Sequence, residues 1–335
     1  MTDEWELAAS APAVLATVAI VEGSAPRAPG ARMVVTAGEM AGTVGGGHLE
    51  LRATEIGRAM LATGRARQVE RFALGPSLGQ CCGGVVHLVF ELVQPAQALL
   101  LAARRNVDTW RLAALDGAAD NALFDGAGVQ LGAAAAPAHC PDFVRTGGAH
   151  VMQQPDGRRW LVAPLAAPRA HLILFGAGHV GAAVVRALAG LPCSVTWVDG
   201  RDDMFPRAVP ANVRIEASDA YEEMVAGAPA GASYLVMTHS HALDQRLAEA
   251  ILARRDVGWF GLIGSHTKRK RFEHRLRARG VAPERIAAMA CPIGLAGITG
   301  KEPAVIAASV CAQLLIVWEA GQLALKVAKK YQETT

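Results

Sequence analysis

The stretch HLILFGAGHVG, residues 171–181, constrains this chain more than any other. A continuous apolar strand runs into Gly176-Ala-Gly178-His-Val-Gly181, and an apolar helical pattern follows to about Leu191. Glycines at this spacing allow a tight turn, a close backbone approach by a ligand, and close packing of helix on strand. The helix start presents free N–H groups suited to a phosphate or pyrophosphate, with Gly178 a candidate for positive φ. Many such turns keep their glycines for packing alone, so ligand binding by Gly176, Gly178 and Gly181 is an expectation carried by context. SVTWV (194–198) leads to Asp199, 23 residues after Gly176, where dinucleotide-binding folds carry the acid that holds a ribose. VRI (213–215), SYLVM (233–237) and WFGLI (259–263) follow, with helical patterns between most of them. Strands apolar throughout and alternating with helices predict an α/β fold, a Rossmann-like doubly wound parallel sheet over 170–335.

The first half reads differently. VLATVAIVEG (14–23) and RMVV (32–35) are strands joined by a turn-rich link, and Gly45-Gly46-Gly47 opens a helix from about His48 to Ala62. VVHLVFELV (85–93) and WRLAALDG (110–117) are further strands, and residues 147–164 form a hairpin about Pro155-Asp156-Gly157. These elements predict a smaller N-terminal α+β domain over 1–162, with 163–169 as linker.

Composition narrows the function. With 335 residues, 52% apolar and 19% charged, the chain has enough apolar surface for two cores and too little charge for disorder. A formal charge of +3 is too slight to imply nucleic acid. MTDEWELAAS has three acids and no apolar core, which does not fit a signal peptide. The apolar run Pro303–Trp318 is 16 residues long, short for a membrane span and suited to a buried helix. The expected setting is cytoplasmic, where six cysteines would not form a structural disulfide framework.

Three more segments could carry chemistry. THSHALD (238–244) follows a strand at the carboxyl edge of the predicted sheet, where ligands bind in this architecture. His239, His241 and Asp244 could contact a polar ligand or a metal there; alternatively Ser240 caps the next helix and the histidines are solvated. GSHTKRKRFEHRLRARG (264–280) holds seven Lys and Arg against one acid, Glu273. Phe272 and Leu276 would pack inward, while Lys268, Arg271, Arg275 and Arg279 share another face that meets solvent, an anion or an acidic partner. GLAGITGKEP (294–303) lacks the first glycine and the Ser or Thr of a P-loop, and reads as the start of the last helix.

The paired thiols Cys81 and Cys82 sit between Gly79-Gln80 and Gly83-Gly84. Structural cysteines are usually buried among apolar neighbours and inert, whereas glycines strip side chains away and admit a ligand. The pattern suggests chemistry at sulfur, against the alternative that both thiols pack in a turn.

Taken together, GTVGGGHLE, FALGPSLGQCCGG, LFGAGHVG, VDGRDDMFP, THSHALD, GLIGSHTKRKRF and GLAGITGKEPAVIAASVCAQLL resemble the XdhC/CoxI family, xanthine dehydrogenase accessory proteins. The resemblance spans nearly the whole chain, residues 95–160 excepted. It implies a chaperone rather than an enzyme: a protein that binds the molybdenum cofactor (molybdopterin), protects it, assists its sulfuration with a cysteine desulfurase, and inserts it into the molybdenum subunit of xanthine dehydrogenase. It also implies a homodimer, without nucleic acid or membrane as partner. Cys81 or Cys82 would then meet molybdenum or relay sulfur, soft ligand to soft centre; some family members carry one cysteine here, and the resemblance does not choose between the two. One rival reading is an NAD(P)-dependent oxidoreductase with Asp199 on the ribose; another is a non-enzymatic scaffold with a vestigial nucleotide fold. The chaperone reading predicts weak NAD and NADH binding by calorimetry, and tight stoichiometric NADH binding would favour the oxidoreductase.

Overall fold

The computed structural model describes residues 3–75, 83–116, 118–144 and 148–332. The chain divides into two compact units, Met1–Ala167 and Pro168–Thr335. The division falls within the stretch read as linker, but residues 163–165 of that stretch are strand, paired with Thr109–Arg111.

In the first unit, β1 (Val14–Glu22), β2 (Arg32–Val35), β3 (Met40–Gly42), β4 (Arg67–Ala73) and β5 (Val85–Leu92) form an antiparallel sheet ordered β3-β2-β1-β5-β4. Period-two alternation divides its side chains between two cores. Val14, Ala16, Val18, Met33 and Val35 pack with Leu49, Ala53 and Met60 of α2 (Gly47–Thr63). Leu15 and Val34 face the other way, onto Trp5 and Leu7 of α1 (Glu4–Ser10) and Ala98 and Leu101 of α3 (Pro95–Ala103). A second antiparallel sheet, β8-β7-β6-β10-β9, contains β6 (Thr109–Ala114), β7 (Asn121–Asp125), β8 (Gln130–Leu131), β9 (His150–Gln153) and β10 (Arg159–Leu165). Its core is built on Trp110, Leu112, Phe124 and Trp160.

The glycine turn before α2 is closed from within. The Glu50 carboxylate accepts from the N–H groups of Val44, Gly45 and Gly46 and from the Thr43 hydroxyl. Burial alone would raise its pKa, but these donors outweigh burial and hold it below the ordinary glutamate range. The same unit buries Glu91 of β5 between Arg67 of β4 and Arg111 of β6, all three almost inaccessible. Arg67 reaches Glu91 at 2.6 Å and also the carbonyl of Ala114, so one guanidinium ties the two sheets together. The Glu91 oxygens meet both cations as ion pairs without hydrogen-bond alignment.

The second unit is a six-stranded sheet ordered β13-β12-β11-β14-β15-β16, parallel at every pairing. The strands are β11 (Ala170–Phe175), β12 (Cys193–Asp199), β13 (Val213–Ala217), β14 (Ser233–Val236), β15 (Trp259–Leu262) and β16 (Met289–Ala290). Leu172, Leu174, Trp197 and Leu235 face α4 (His179–Ala187) and α9 (Pro303–Gln332). Ile173, Phe175, Tyr234 and Val236 face α6 (His241–Ala253) and α7 (His266–Ala278), whose Phe272 and Leu276 are buried as the sequence pattern predicts. This is the doubly wound Rossmann arrangement.

The apolar run opening α9 is longer than expected, 19 residues from Pro303 to Gly321, and only a third of it is buried. By length and composition it could cross a membrane. Its inner face, Ala307, Val310, Cys311 and Leu314, packs in the core beside α4, and Trp318 donates to Ser233 at 3.0 Å. Ile316 lies outside that face and is exposed.

The buried Arg67–Glu91–Arg111 triad generates a test of stability. Glu91→Gln should cost ~3–5 kcal/mol by urea denaturation, because two buried cations lose their counter-charge. Arg67→Met/Glu91→Leu/Arg111→Met should be neutral or stabilising by comparison. A Glu91→Gln protein as stable as the wild type would contradict this account of the triad.

Candidate functional site

The order of strands places a topological switch between β11 and β14, where ligands of open parallel sheets bind. Four turns leave the carboxyl edges around it: 176–178 after β11, 200–201 after β12, 237–240 after β14 and 263–265 after β15.

The three glycines of the first turn have different tasks. Gly176 has φ 115°, and a Cβ there would lie 2.4 Å from the carbonyl oxygen of Met237. A Cβ on Gly181 would lie 2.1 Å from the carbonyl oxygen of Gly176. Both glycines allow backbone segments to touch. Gly178 is the N-cap of α4 at φ −72°, so it carries no positive-φ requirement, contrary to the sequence expectation. A Cβ at Gly178 would meet nothing within 4 Å. Of the three, Gly178 faces open space at an uncapped helix start.

Asp199 holds this turn in place. Its Oδ2 accepts from Ala177 N at 2.7 Å and Arg201 Nη2 at 2.9 Å. Its Oδ1 accepts from Arg201 N at 3.1 Å and Arg201 Nε at 2.9 Å. Two donors on each oxygen match the roughly four lone-pair sites of a carboxylate. Burial opposes the charge, but Arg201 and the two N–H groups outweigh it and keep the pKa below the ordinary aspartate range. A ribose diol would have to displace Arg201 or Ala177 to reach this acid.

Asp244 is likewise occupied. It is fully buried in the first turn of α6 and accepts from Thr238 Oγ1 at 2.7 Å and Thr238 N at 3.2 Å through Oδ1. Lys268 of α7 donates to its Oδ2 at 2.6 Å and to the carbonyl of Ile263 at 2.8 Å. Ser240 caps α6 by accepting from Leu243 N at 3.3 Å. His239 and His241 are exposed on the same turn. Among the described residues no group of three His, Cys, Asp or Glu side chains could hold a metal ion.

The turns after β14 and β15 bound a cleft of about 500 Å³, within the ~300–1,000 Å³ range of small-molecule sites. His239, His241, Ser265, Lys268, Arg271 and Arg275 line it, and no carboxylate does. Lys268 sits 5.3 Å from the ring centroid of Phe272. The basic face expected of α7 therefore divides. Arg269 and Arg277 share Glu273, Arg279 pairs with Glu249, and Lys268 turns inward to Asp244. Arg271 and Arg275 have no ion-pair partner among the described residues, and both face the cleft. Sequence reasoning singled out these arginines; their selection from seven basic residues depends on Glu273 within the helix and on Asp244 and Glu249, 24 and 30 positions from their partners, and emerges only in the fold.

Cys81 and Cys82 lie outside the described residues. Of the other cysteines, Cys193, Cys291 and Cys311 are buried, and burial pushes the Cys193 and Cys311 thiols up to about 11. Thiols so placed are poor nucleophiles.

Comparisons with known proteins agree with this architecture. A solved structure described as a xanthine dehydrogenase from Bacillus halodurans is 21% identical, covers 95% of this chain and 96% of its own, and superposes with a TM-score of 0.69. At that identity the likeness carries the fold. YqeB, an uncharacterized protein of Escherichia coli strain K12, is 29% identical over 150 residues, which is 44% of this chain and 27% of that relative's length. This chain therefore matches about a quarter of that relative. Residues 172–314 match the XdhC Rossmann domain and residues 6–73 match the XdhC and CoxI family. With one module in each half, the chain belongs to the XdhC and CoxI family.

Proposed function

We propose that this protein is an accessory factor of xanthine dehydrogenase that binds the molybdenum cofactor, protects it, assists its sulfuration with a cysteine desulfurase, and inserts it into the molybdenum subunit. The observation that carries the reading is a cationic cleft, rich in donors and lined by no carboxylate, at the ligand edge of an XdhC Rossmann domain. Such a donor set fits the phosphate end of a molybdopterin. The bound cofactor supplies the redox and oxo or sulfido chemistry used by the client enzyme.

The chain's own residues supply binding, orientation and release. Gly178 leaves room beside the first turn of α4, and His239 and His241 present imidazoles at the cleft mouth. Asp199 and Asp244 act as positioning residues, the first through the glycine turn and the second through Lys268. Gly176 and Gly181 permit the close backbone contacts on which the turn depends. Cys81 or Cys82 provides a soft thiolate for molybdenum or for a sulfur in transit, with glycines on both sides of the pair. The protein works in the cytoplasm as a homodimer and turns over no substrate of its own. With both Asp199 oxygens engaged by Ala177 and Arg201, the nicotinamide-dinucleotide alternative is disfavoured.

The thiols provide the test. Cys81→Ser/Cys82→Ser should fold as the wild type but retain little molybdenum cofactor, and should fail to raise xanthine dehydrogenase activity in a reconstitution mixture. Wild-type retention and transfer by the double variant would remove the thiols from the proposal.

A further inference from the structure

We propose that the cleft between the β14 turn, the β15 turn and α7 is a phosphoryl-group site, and that the anion position of this Rossmann domain lies there rather than at the glycine turn. The inference rests on the cofactor-escort reading only for what carries the phosphate.

Three observations converge on a phosphoryl group. The first is charge. Lys268, Arg271 and Arg275 line the cleft, and the one acid beside it, Asp244, is fully buried and bound to Thr238 and Lys268. Formal charge in this neighbourhood is therefore three cations against one anion, or +2. The second is hydrogen-bonding capacity. An ammonium has three donors; Lys268 directs two to Asp244 and Ile263, leaving one for a ligand. The Ser265 oxygen accepts from Lys268 N, which leaves its hydroxyl proton to donate. Thr267 adds a hydroxyl, and the arginines add two planar donor forks that suit bidentate phosphate recognition. Donors with no lining carboxylate call for an acceptor-rich, multiply charged group.

The third observation is selection among basic residues. Four of the seven basic side chains of 264–280 find internal carboxylates; of the three without an ion pair among the described residues, Arg271 and Arg275 line the cleft and Lys270 does not. A surface evolved for diffuse attraction of an acidic protein would have no need of a concavity. A cleft of about 500 Å³ exceeds what one phosphate fills and leaves room for part of the organic body attached to it. At the glycine turn, by contrast, Gly176 and Gly181 are occupied in packing and Asp199 is saturated.

Inorganic pyrophosphate, titrated calorimetrically into the full-length protein, tests the site without molybdenum. Arg271→Gln/Arg275→Gln should weaken pyrophosphate at least about tenfold, since each charge-assisted pair is worth more than a neutral hydrogen bond. Both side chains are exposed, so the melting temperature should not change. Arg271→Gln alone should give an intermediate loss, and Arg277→Gln, on the same helix but outside the cleft lining, should bind as the wild type does. ADP and a phosphorylated pterin, titrated in parallel, distinguish the two sources of the phosphate, and either should lose affinity in the arginine variant. Equal pyrophosphate binding by wild type and the arginine variant would overturn the proposal. So would loss confined to Gly178→Val, or an effect of the arginines only on association with an acidic protein. Molybdenum retention is read separately, so a failure of this site, seen in pyrophosphate binding, is distinguished from a failure of the escort reading, seen in cofactor content.

Discussion

Four hydrogen bonds onto the buried carboxylate of Asp199 fix the ligand edge of the parallel sheet. They hold Ala177, and hence the glycine turn after β11, against the end of β12, and they fold Arg201 back over the same acid. Trp197 reinforces the arrangement by donating to the Gly176 carbonyl at 3.0 Å. With its folded pKa depressed, Asp199 contributes stability that is fully present above the ordinary aspartate range and is lost as pH falls through the folded value. An acid placed where a ribose would be read thus serves the fold first. The usual dinucleotide subsite is narrowed by the interaction that keeps its turn in shape.

The same economy operates after β14 and β15. The buried Asp244 pairs with the partly buried Lys268 and joins α6 to α7, and Thr238 fixes the remaining carboxylate oxygen. Removing one member of such a pair costs far more than the pair contributes, which makes it a rigid support. Upon that support stand Arg271 and Arg275, exposed and uncompensated, one helical turn apart. Charge left unpaired on a rigid concave wall is pre-organised for an anion. In the first unit the opposite choice is made: the Gly45–Gly47 turn could hold an anion, and Glu50 of its own helix fills it.

Much of this was legible in the sequence. The apolar strand 171–175, the glycine spacing and the strand ending at Asp199 give the parallel sheet directly, because strands covered on both faces need apolar residues throughout. Phe272 and Leu276 declare the inner face of α7 by their helical spacing. Strand β4 was not legible: in RQVERFA the exposed residues are Val69, Arg71 and Ala73, the half-buried ones are Gln68, Glu70 and Phe72, and only Arg67 is buried, so no apolar alternation marks it. Its signal lay elsewhere, in a glutamate at position 91 inside an apolar run, which requires buried cations. The division of the α7 charges was hidden because each pairing depends on a partner brought close by folding, apart from Glu273 within the helix. Gly178 looked like its two neighbours, and only the backbone angles separate an open position from two packed ones.

The account stands on cofactor content. Wild-type protein purified from cells supplied with molybdate should carry molybdenum and a pterin together, in comparable amounts, by metal analysis and by absorbance of the released cofactor. Protein that carries a nicotinamide dinucleotide and no molybdenum, or that takes up neither metal nor pterin on reconstitution, would contradict it.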